Sequence, residues 1–303
     1  MNNNNEVIWV LGDFILTRGY GGLMIIEPTS KSMSTLIKLR RLYVYTRTKY
    51  QEIMLVEFEE LGRGLVIDNY IQSTESDEHI YHESLVHPAL LTHPLPRKVL
   101  IIGGGEGATL REVLKHNCVE KAIMVDIDGE LVEFAKKYLD VMHRGSFNDP
   151  RAEVIIMDGK EYVAKQSDKS FDAVIIDLTD PYSSEIAKSL YSEEFYREIY
   201  RILKDDGIMV TQAGNSFFYN RVYEWVYNNV SKVFPITMEY EAWVPSFGYS
   251  CNFIIGSKKY DPSRLDADSI DKKISERSLK LRYYNGRVHV SYVYKPITKP
   301  LKK

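Results

Sequence analysis

The stretch VLIIGGGEGATLREVL, residues 99–114, decides the fold. Val99-Leu100-Ile101-Ile102 is a short apolar run that ends in glycine, the pattern of a strand buried on both faces. Gly103, Gly104, Gly105 and Gly107 make a turn, and the composition from Ala108 to Leu114 is helical. Strand, glycine turn and helix start together present backbone N–H groups and the positive end of a helix dipole to a ligand, usually a phosphate. Glu106 sits inside this turn. A carboxylate there repels a pyrophosphate, so the residue predicts a ligand carrying positive charge.

Outward from this unit the pattern repeats. Strands are predicted over 98–102, 121–126, 152–157, 171–177 and 207–212, with helices over 107–116, 128–138, from 159, 192–203 and 216–233. Two further strands lie near 237–244 and 251–257. Repeated β-α steps with short links give an α/β protein with a mostly parallel, doubly wound sheet. Right-handed crossovers then bring the C-terminal strand ends to one rim. Upstream, 42–45, 51–58 and 65–68 read as strands, with Gly62-Arg63-Gly64 as a turn. A helix follows from 75 to about 91, stopped by Pro94 and Pro96. The predicted organisation is a small antiparallel β domain, 1–74, and a doubly wound catalytic domain, 75–303. Met1 to Asn5 and the Lys-rich tail after Pro296 read as frayed ends. Lys280-Leu281-Arg282-Tyr283-Tyr284 and Val288-His289-Val290-Ser291-Tyr292 read as terminal strands.

The strand ends carry acids. Glu106 follows the first strand, and Asp126 ends the second, 19 residues beyond Gly107, near the offset at which an acid takes ribose hydroxyls. Asp158-Gly159 follows the third strand, Asp177 and Asp180 follow the fourth, and Gln212 ends the fifth. No lysine or arginine stands among them. Any one acid, Asp158 above all, has a structural explanation as the cap of the next helix. Five acids on one rim require a compensating cation, metal or organic. The metal alternative rests on HIYHESLVHPALLTH, residues 79–93, with four histidines. His82 and His87 diverge by about 140° around a helix, because they are five residues apart rather than the four of HExxH sites. His79 and His82 share a face but have no evident third ligand. No metal is therefore expected, and His79 and His87 read as surface or capping residues. The rim favours an organic cation carrying a nucleoside: ribose on Asp126, adenine near Asp158-Gly159, a sulfonium near the glycine turn and a terminal ammonium on Glu106.

Composition narrows the partners. With 303 residues, 44% apolar and 27% charged, the chain reads as soluble and globular. A net charge of −3 leaves no global basic field for nucleic acid. No apolar run reaches the roughly 18 residues of a membrane span, and the N-terminus lacks the pattern of a signal peptide. The two cysteines, Cys118 and Cys251, have no metal-type spacing and fit a reducing cytoplasm.

At this point the motifs GGGEGATLREVLKH, IMVDID, IMDG, IIDLTDP and IQSTESDEHIYHE closely resemble those of the polyamine aminopropyltransferases, the spermidine synthase family. The likeness covers about residues 43–257. Glu106 in place of the commoner aspartate, with DLTDP and TQAG, most resembles the thermospermine synthase and broad-specificity thermophile branch. The resemblance implies a small N-terminal β domain followed by a Rossmann-like, methyltransferase-type domain, assembled as a homodimer or homotetramer. It implies transfer of an aminopropyl group from decarboxylated S-adenosylmethionine, a co-substrate rather than a cofactor, to a small-molecule polyamine, releasing methylthioadenosine. It assigns Asp177 as proton acceptor, and Gln51, Glu106, Asp126, Asp158 and Gly159 to the donor. Tyr81, His82, Asp180 and Gln212 fall to the amine groups, and Phe247 to the acceptor pocket. Three departures stand out. Pro181-Tyr182-Ser183-Ser184-Glu185 replaces the usual Asp-Pro-x-Gly-Pro loop, and Phe247 in VPSFG replaces a tyrosine that contacts short diamines. The first forty residues match poorly.

Three rivals remain: a methyltransferase using intact S-adenosylmethionine, whose α-carboxylate Glu106 would repel; a non-catalytic polyamine binder; and a nicotinamide dehydrogenase, which needs a turn without Glu106. Trp243 and Phe247 also read as core residues or as a wall for the acceptor's methylene chain.

Overall fold

The computed structural model describes residues 7–11, 14–19, 22–182 and 185–301. The predicted frayed start, Met1 to Asn5, and Ser183-Ser184 of the loop after Asp180 lie outside them. The chain divides into two compact units, Met1–Glu78 with Val244–Gly248, and His79–Trp243 with Tyr249–Lys303.

The first unit holds seven strands: β1 (Val7–Leu11), β2 (Phe14–Gly19), β3 (Gly22–Pro28), β4 (Ser34–Arg47), β5 (Glu52–Phe58), β6 (Gly62–Ile67) and β7 (Tyr70–Thr74). They pair in sequence order as an antiparallel meander. The β6–β7 turn shows why: Asp68 and Asn69 both have positive φ (47° and 72°), the geometry of a two-residue hairpin turn that matches strand twist. Asp68 is thus a turn residue and not the end of a strand. One face buries Ile25, Leu39, Met54, Val56 and Phe58, and Phe247 packs against this cluster. The 244–248 segment is pinned by Asp77, whose carboxylate accepts from the Ser246 amide at 2.6 Å and the Ser246 hydroxyl at 3.1 Å.

The second unit begins with α1 (Glu78–Thr92) and continues β8 (Lys98–Gly103), α2 (Ala108–Leu114), β9 (Lys121–Asp126), α3 (Gly129–Tyr138), α4 (Asp140–His143), β10 (Ala152–Ile156), α5 (Gly159–Ala164), β11 (Phe171–Asp177), α6 (Glu185–Ser189), α7 (Glu193–Ile202), β12 (Leu203–Gln212), α8 (Asn220–Val233), β13 (Ile236–Val244) and β14 (Tyr249–Ser257). The strand order is β10-β9-β8-β11-β12-β14-β13. The first five strands are parallel, and β14 runs antiparallel to β12. This is the Rossmann-like α/β sheet the alternation predicts, with apolar strands such as Leu100-Ile101-Ile102 and Val174-Ile175-Ile176 buried on both faces. From β8 the chain winds outward to β10 and then returns to β11 on the other side. That reversal opens a crevice at the C-terminal ends of β8 and β11, the place where such sheets bind ligands.

The two predicted terminal strands are not strands. The chain ends in α9 (Ala267–Glu276) and α10 (Gly286–Tyr294). In VHVSY the alternation of Val288, Val290 and Tyr292 suggested a β period, but the buried positions are Gly286, His289 and Tyr292, three apart on one helical face. Asn285 caps this helix, accepting from the Arg287 and Val288 amides. Lys280 to Tyr284 is irregular because the amides of Arg282, Tyr283 and Tyr284 donate to the buried Glu83 carboxylate at 2.8–2.9 Å, not to a neighbouring strand.

Pro88 lies inside α1. Proline has no N–H, so the Ser84 carbonyl one turn earlier loses its helical donor. The Tyr240 hydroxyl of β13 supplies the missing hydrogen bond at 2.8 Å.

Candidate active site

Backbone geometry builds the crevice first. Gly103 and Asp177 are paired across β8 and β11. Gly103 has φ +83°, and a Cβ there would lie 2.1 Å from the Asp177 carbonyl oxygen. Gly104 donates its amide to that oxygen at 2.9 Å, and a Cβ at Gly104 would come within 3.1 Å of Asp177 Oδ2. Gly105 lies over Asp126, with Oδ2 2.8 Å from its would-be Cβ, and Gly107 initiates α2 in the left-handed region. Gly103, Gly104 and Gly105 therefore let two acidic strand ends approach one turn.

On this frame, Asp177 is held at both of its carboxylate oxygens. Tyr81 of α1 donates its hydroxyl to Oδ1 at 2.8 Å, and Thr109 of α2 donates to Oδ2 at 2.6 Å. Burial raises the carboxyl above its ordinary value, opposed by the His82 charge and by the hydrogen bonds from Thr109 and Tyr81. Burial, reinforced by the Asp177 charge, holds the Tyr81 phenol well above its usual range, so Tyr81 stays a donor.

Glu106 is buried and faces His82, with Oε1 2.9 Å from Nε2. The acid of the turn thus meets a cation-forming side chain of α1. Asp126 is buried at the end of β9 and accepts from the Asp128 amide at 2.8 Å. Burial pushes its carboxyl up to about 6, against hydrogen bonds from the Asp128 and Gly105 amides. Asp180 is raised by burial and receives hydrogen bonds from Tyr182 and Gln212. Gln212 also donates to the Leu178 carbonyl at 2.7 Å and to the Tyr191 hydroxyl at 2.8 Å, and its own oxygen accepts from the Gly214 amide at 2.7 Å. Its neighbour in the loop, Tyr182, stacks on Tyr219 with ring centroids 3.8 Å apart.

Tyr81, Asp177, Glu106 and His82 are thus joined by direct contacts or by charge, Asp126 lies beside the same turn, and Asp180 and Gln212 form a second hydrogen-bonded group. Asp158 behaves differently: its Oδ1 accepts from the Lys160 and Glu161 amides at 2.7 and 3.3 Å, the cap of α5. Gly159 opens that helix beside Ile102, where a Cβ would meet Cγ2 at 2.7 Å. Gln51 and Phe247 belong to the first unit; Gln51 sits in the turn before β5, its amide on Thr48 Oγ1 at 3.2 Å.

Two readings need correction. His87 is neither a surface nor a capping residue. It is fully buried, with Nδ1 2.9 Å from His116 and Nε2 2.9 Å from Glu112, and His116 in turn meets Arg277 at 3.1 Å. This network packs α1 against α2. Trp243 is not a core residue but 55% exposed. Among the described residues no group of three or more His, Cys, Asp or Glu is placed to hold a metal ion, and no helix is long and apolar enough to cross a membrane. Thr109 is the site residue that sequence reasoning missed. In GEGATL only its position after the turn hints at a contact with the neighbouring strand end.

The chain is similar along most of its length to proteins of one family. The spermine/spermidine synthase domain matches residues 78–266. The chain is 53% identical over 283 residues to a polyamine aminopropyltransferase of Pyrobaculum aerophilum, covering 93% of this chain and 97% of that protein. It is 49% identical over 263 residues to polyamine aminopropyltransferase 1 of Hyperthermus butylicus, covering 86% and 90%. A crystal structure of a spermidine synthase in complex with the transition-state analogue AdoDATO superposes with a TM-score of 0.84 at 38% identity, over 89% of this chain and 91% of that one. Spermidine synthase from Thermotoga maritima superposes with a TM-score of 0.81 at the same identity, over 89% and 90%. A matched domain over most of the chain and half-identical relatives along nearly its whole length leave one conclusion: this chain belongs to the spermine/spermidine synthase family of polyamine aminopropyltransferases.

Proposed function

We propose that the rim of the second unit transfers an aminopropyl group from decarboxylated S-adenosylmethionine to a polyamine, with Asp177 accepting the proton of the attacking nitrogen. The observation that carries the assignment of roles is the meeting of Glu106, Asp126 and Asp177 around one glycine turn, with both Asp177 oxygens held by hydroxyls. Both reactants are cations, and buried carboxylates are the groups that offset their desolvation.

The reaction is displacement at the methylene beside the sulfonium. An alkylammonium has a pKa near ~10.4, so only about one molecule in a thousand is nucleophilic at neutral pH. A carboxylate accepts up to about four hydrogen bonds. With one hydroxyl on each oxygen, Asp177 keeps lone pairs for the incoming nitrogen's proton. The C–N bond forms as the C–S bond breaks, and the sulfur leaves neutral without needing an acid. Alignment of nitrogen, carbon and sulfur is worth several kcal/mol and supplies much of the rate.

In this reading Glu106 and His82 receive the donor's terminal ammonium, Asp126 the ribose, and Asp158-Gly159 the adenine. Asp180, Gln212 and Tyr81 hold amine groups, and Gln51 and Phe247 of the first unit take the roles that the family resemblance gives them. No resident cofactor is required. A homodimer or homotetramer and a cytoplasmic setting complete the reading; two cysteines without a disulfide support the last.

Incubating the protein with decarboxylated donor and an amine panel, then separating products by chromatography and mass, tests the whole reading. Methylthioadenosine and an amine longer by one aminopropyl unit are expected, and absence of both rejects it. A second expectation concerns Asp126. Its carboxyl is raised to about 6, so the folded free protein binds more protons than the unfolded chain from about pH 3.9 upward. The associated stability is fully present below that range and is lost as pH rises through 6. Ribose hydroxyls donate only to the ionised form with full strength, so methylthioadenosine binds more tightly at pH 7 than at pH 5. Calorimetry reads this directly; a flat affinity across that range removes Asp126 from the ribose.

A further inference from the structure

We propose that Thr109 is a positioning residue for the transfer reaction, its hydroxyl and that of Tyr81 clamping the Asp177 carboxylate in a single orientation. The proposal rests on the reading of Asp177 as proton acceptor and extends it to a residue outside the acidic rim.

Thr109 is fully buried in the first turn of α2. A buried threonine in a helix commonly satisfies its hydroxyl on the carbonyl one turn earlier. Here Oγ1 reaches across to the end of β11 and donates to Asp177 Oδ2 at 2.6 Å. Tyr81 donates to Oδ1 at 2.8 Å from α1, and the Gly104 amide holds the Asp177 main-chain oxygen at 2.9 Å. Rotation about the Cβ–Cγ bond of Asp177 breaks both hydroxyl contacts at once. One donor from each of two helices therefore fixes the plane of the carboxylate. A proton acceptor in an in-line displacement needs that constraint, since small misplacements cost large factors in rate.

The clamp also bears on charge. The groups that touch Asp177 or act on it through charge are Tyr81 and His82 of α1, Glu106 of the turn, Thr109 of α2, Asp126 of β9, Tyr191 before α7 and Cys251 of β14. Of these, only His82 can carry positive charge, while Glu106 and Asp126 oppose ionisation. Donation from Thr109 stabilises the charged carboxylate, so its loss moves the base to higher pH.

The test compares Thr109→Val, which keeps shape and removes the donor, with Thr109→Ser, which keeps the donor. Rates are measured against pH with one donor and one amine, so that substrate ionisations are common to all variants. For Thr109→Val, turnover falls about tenfold and the acid limb of the profile moves up by about one pH unit, while KM for the donor stays within about twofold. Thr109→Ser restores both the rate and the limb. A valine variant whose profile superimposes on the parent overturns the proposal, and so does a serine variant as impaired as valine. If Thr109→Val does not fold, Thr109→Ala against Thr109→Ser reads the same difference. Asp177→Asn is run in parallel. Full turnover in that variant removes the acceptor role and the clamp with it; an inactive Asp177→Asn beside an unaffected Thr109→Val removes the clamp alone.

Discussion

Asp177→Asn is expected to cut turnover by more than roughly tenfold while leaving methylthioadenosine binding close to that of the parent protein. The substitution is clean because of its surroundings. Asparagine keeps one oxygen as an acceptor and turns the other position into a donor. The hydroxyls of Tyr81 and Thr109 each both donate and accept, so one of them can reverse and take a hydrogen bond from the new amide while the other keeps its own. Burial disfavours the charged aspartate here, so thermal stability is unchanged or slightly higher. What is lost is a lone pair that takes a proton. The measurement is steady-state turnover with a titration of methylthioadenosine. Parent-like turnover rejects Asp177 as the base, and a collapse of binding together with rate assigns it to ligand contact instead.

The second large effect is on the frame. Gly103→Ala places a methyl group 2.1 Å from the Asp177 carbonyl oxygen and 3.0 Å from Leu178, at φ +83°. The obstacle is backbone at the last pair of the β8–β11 ladder, so it has no rotamer to yield. Left-handed φ alone costs an alanine roughly 1–2 kcal/mol; the clash raises the total above about 3 kcal/mol. Gly145 separates the two contributions. Its φ is +85°, yet nothing lies within 4 Å of an added Cβ, so Gly145→Ala loses only the conformational part. Denaturant unfolding of both variants checks the difference. Equal losses show that contact with Asp177 is not what glycine at 103 serves.

The alternation of apolar runs with helical segments was enough to read the parallel sheet, because strands such as 173–176 are buried on both faces and carry no polar residue. The acidic rim was legible for the same reason: a strand end is where burial stops, so an acid there stands out. Beyond residue 258 the reading failed. Val288 to Tyr292 alternates by chance, and only Asn285 capping α10 and Glu83 gathering the amides of 282–284 reveal the true conformation. Glu83 lies some two hundred residues away, out of reach of any local pattern. His87 was misjudged likewise, since its partners Glu112 and His116 come from another helix and the turn after it. Asp158 shows the converse: position alone does not separate a cap from a ligand contact, and the amides of 160 and 161 make it the cap of α5.

The proline in α1 has a consequence for the order in which the protein matures. The carbonyl that Pro88 leaves open is closed by Tyr240, a residue 156 positions downstream. During N-to-C synthesis the segment bearing Tyr81 and His82 emerges long before its closing partner, and until β13 is laid down that helix has a missing rung. Completion of that rung, one turn beyond Tyr81 and His82, is therefore a late event, tied to the last strands of the sheet and not to the glycine-rich unit translated soon after it.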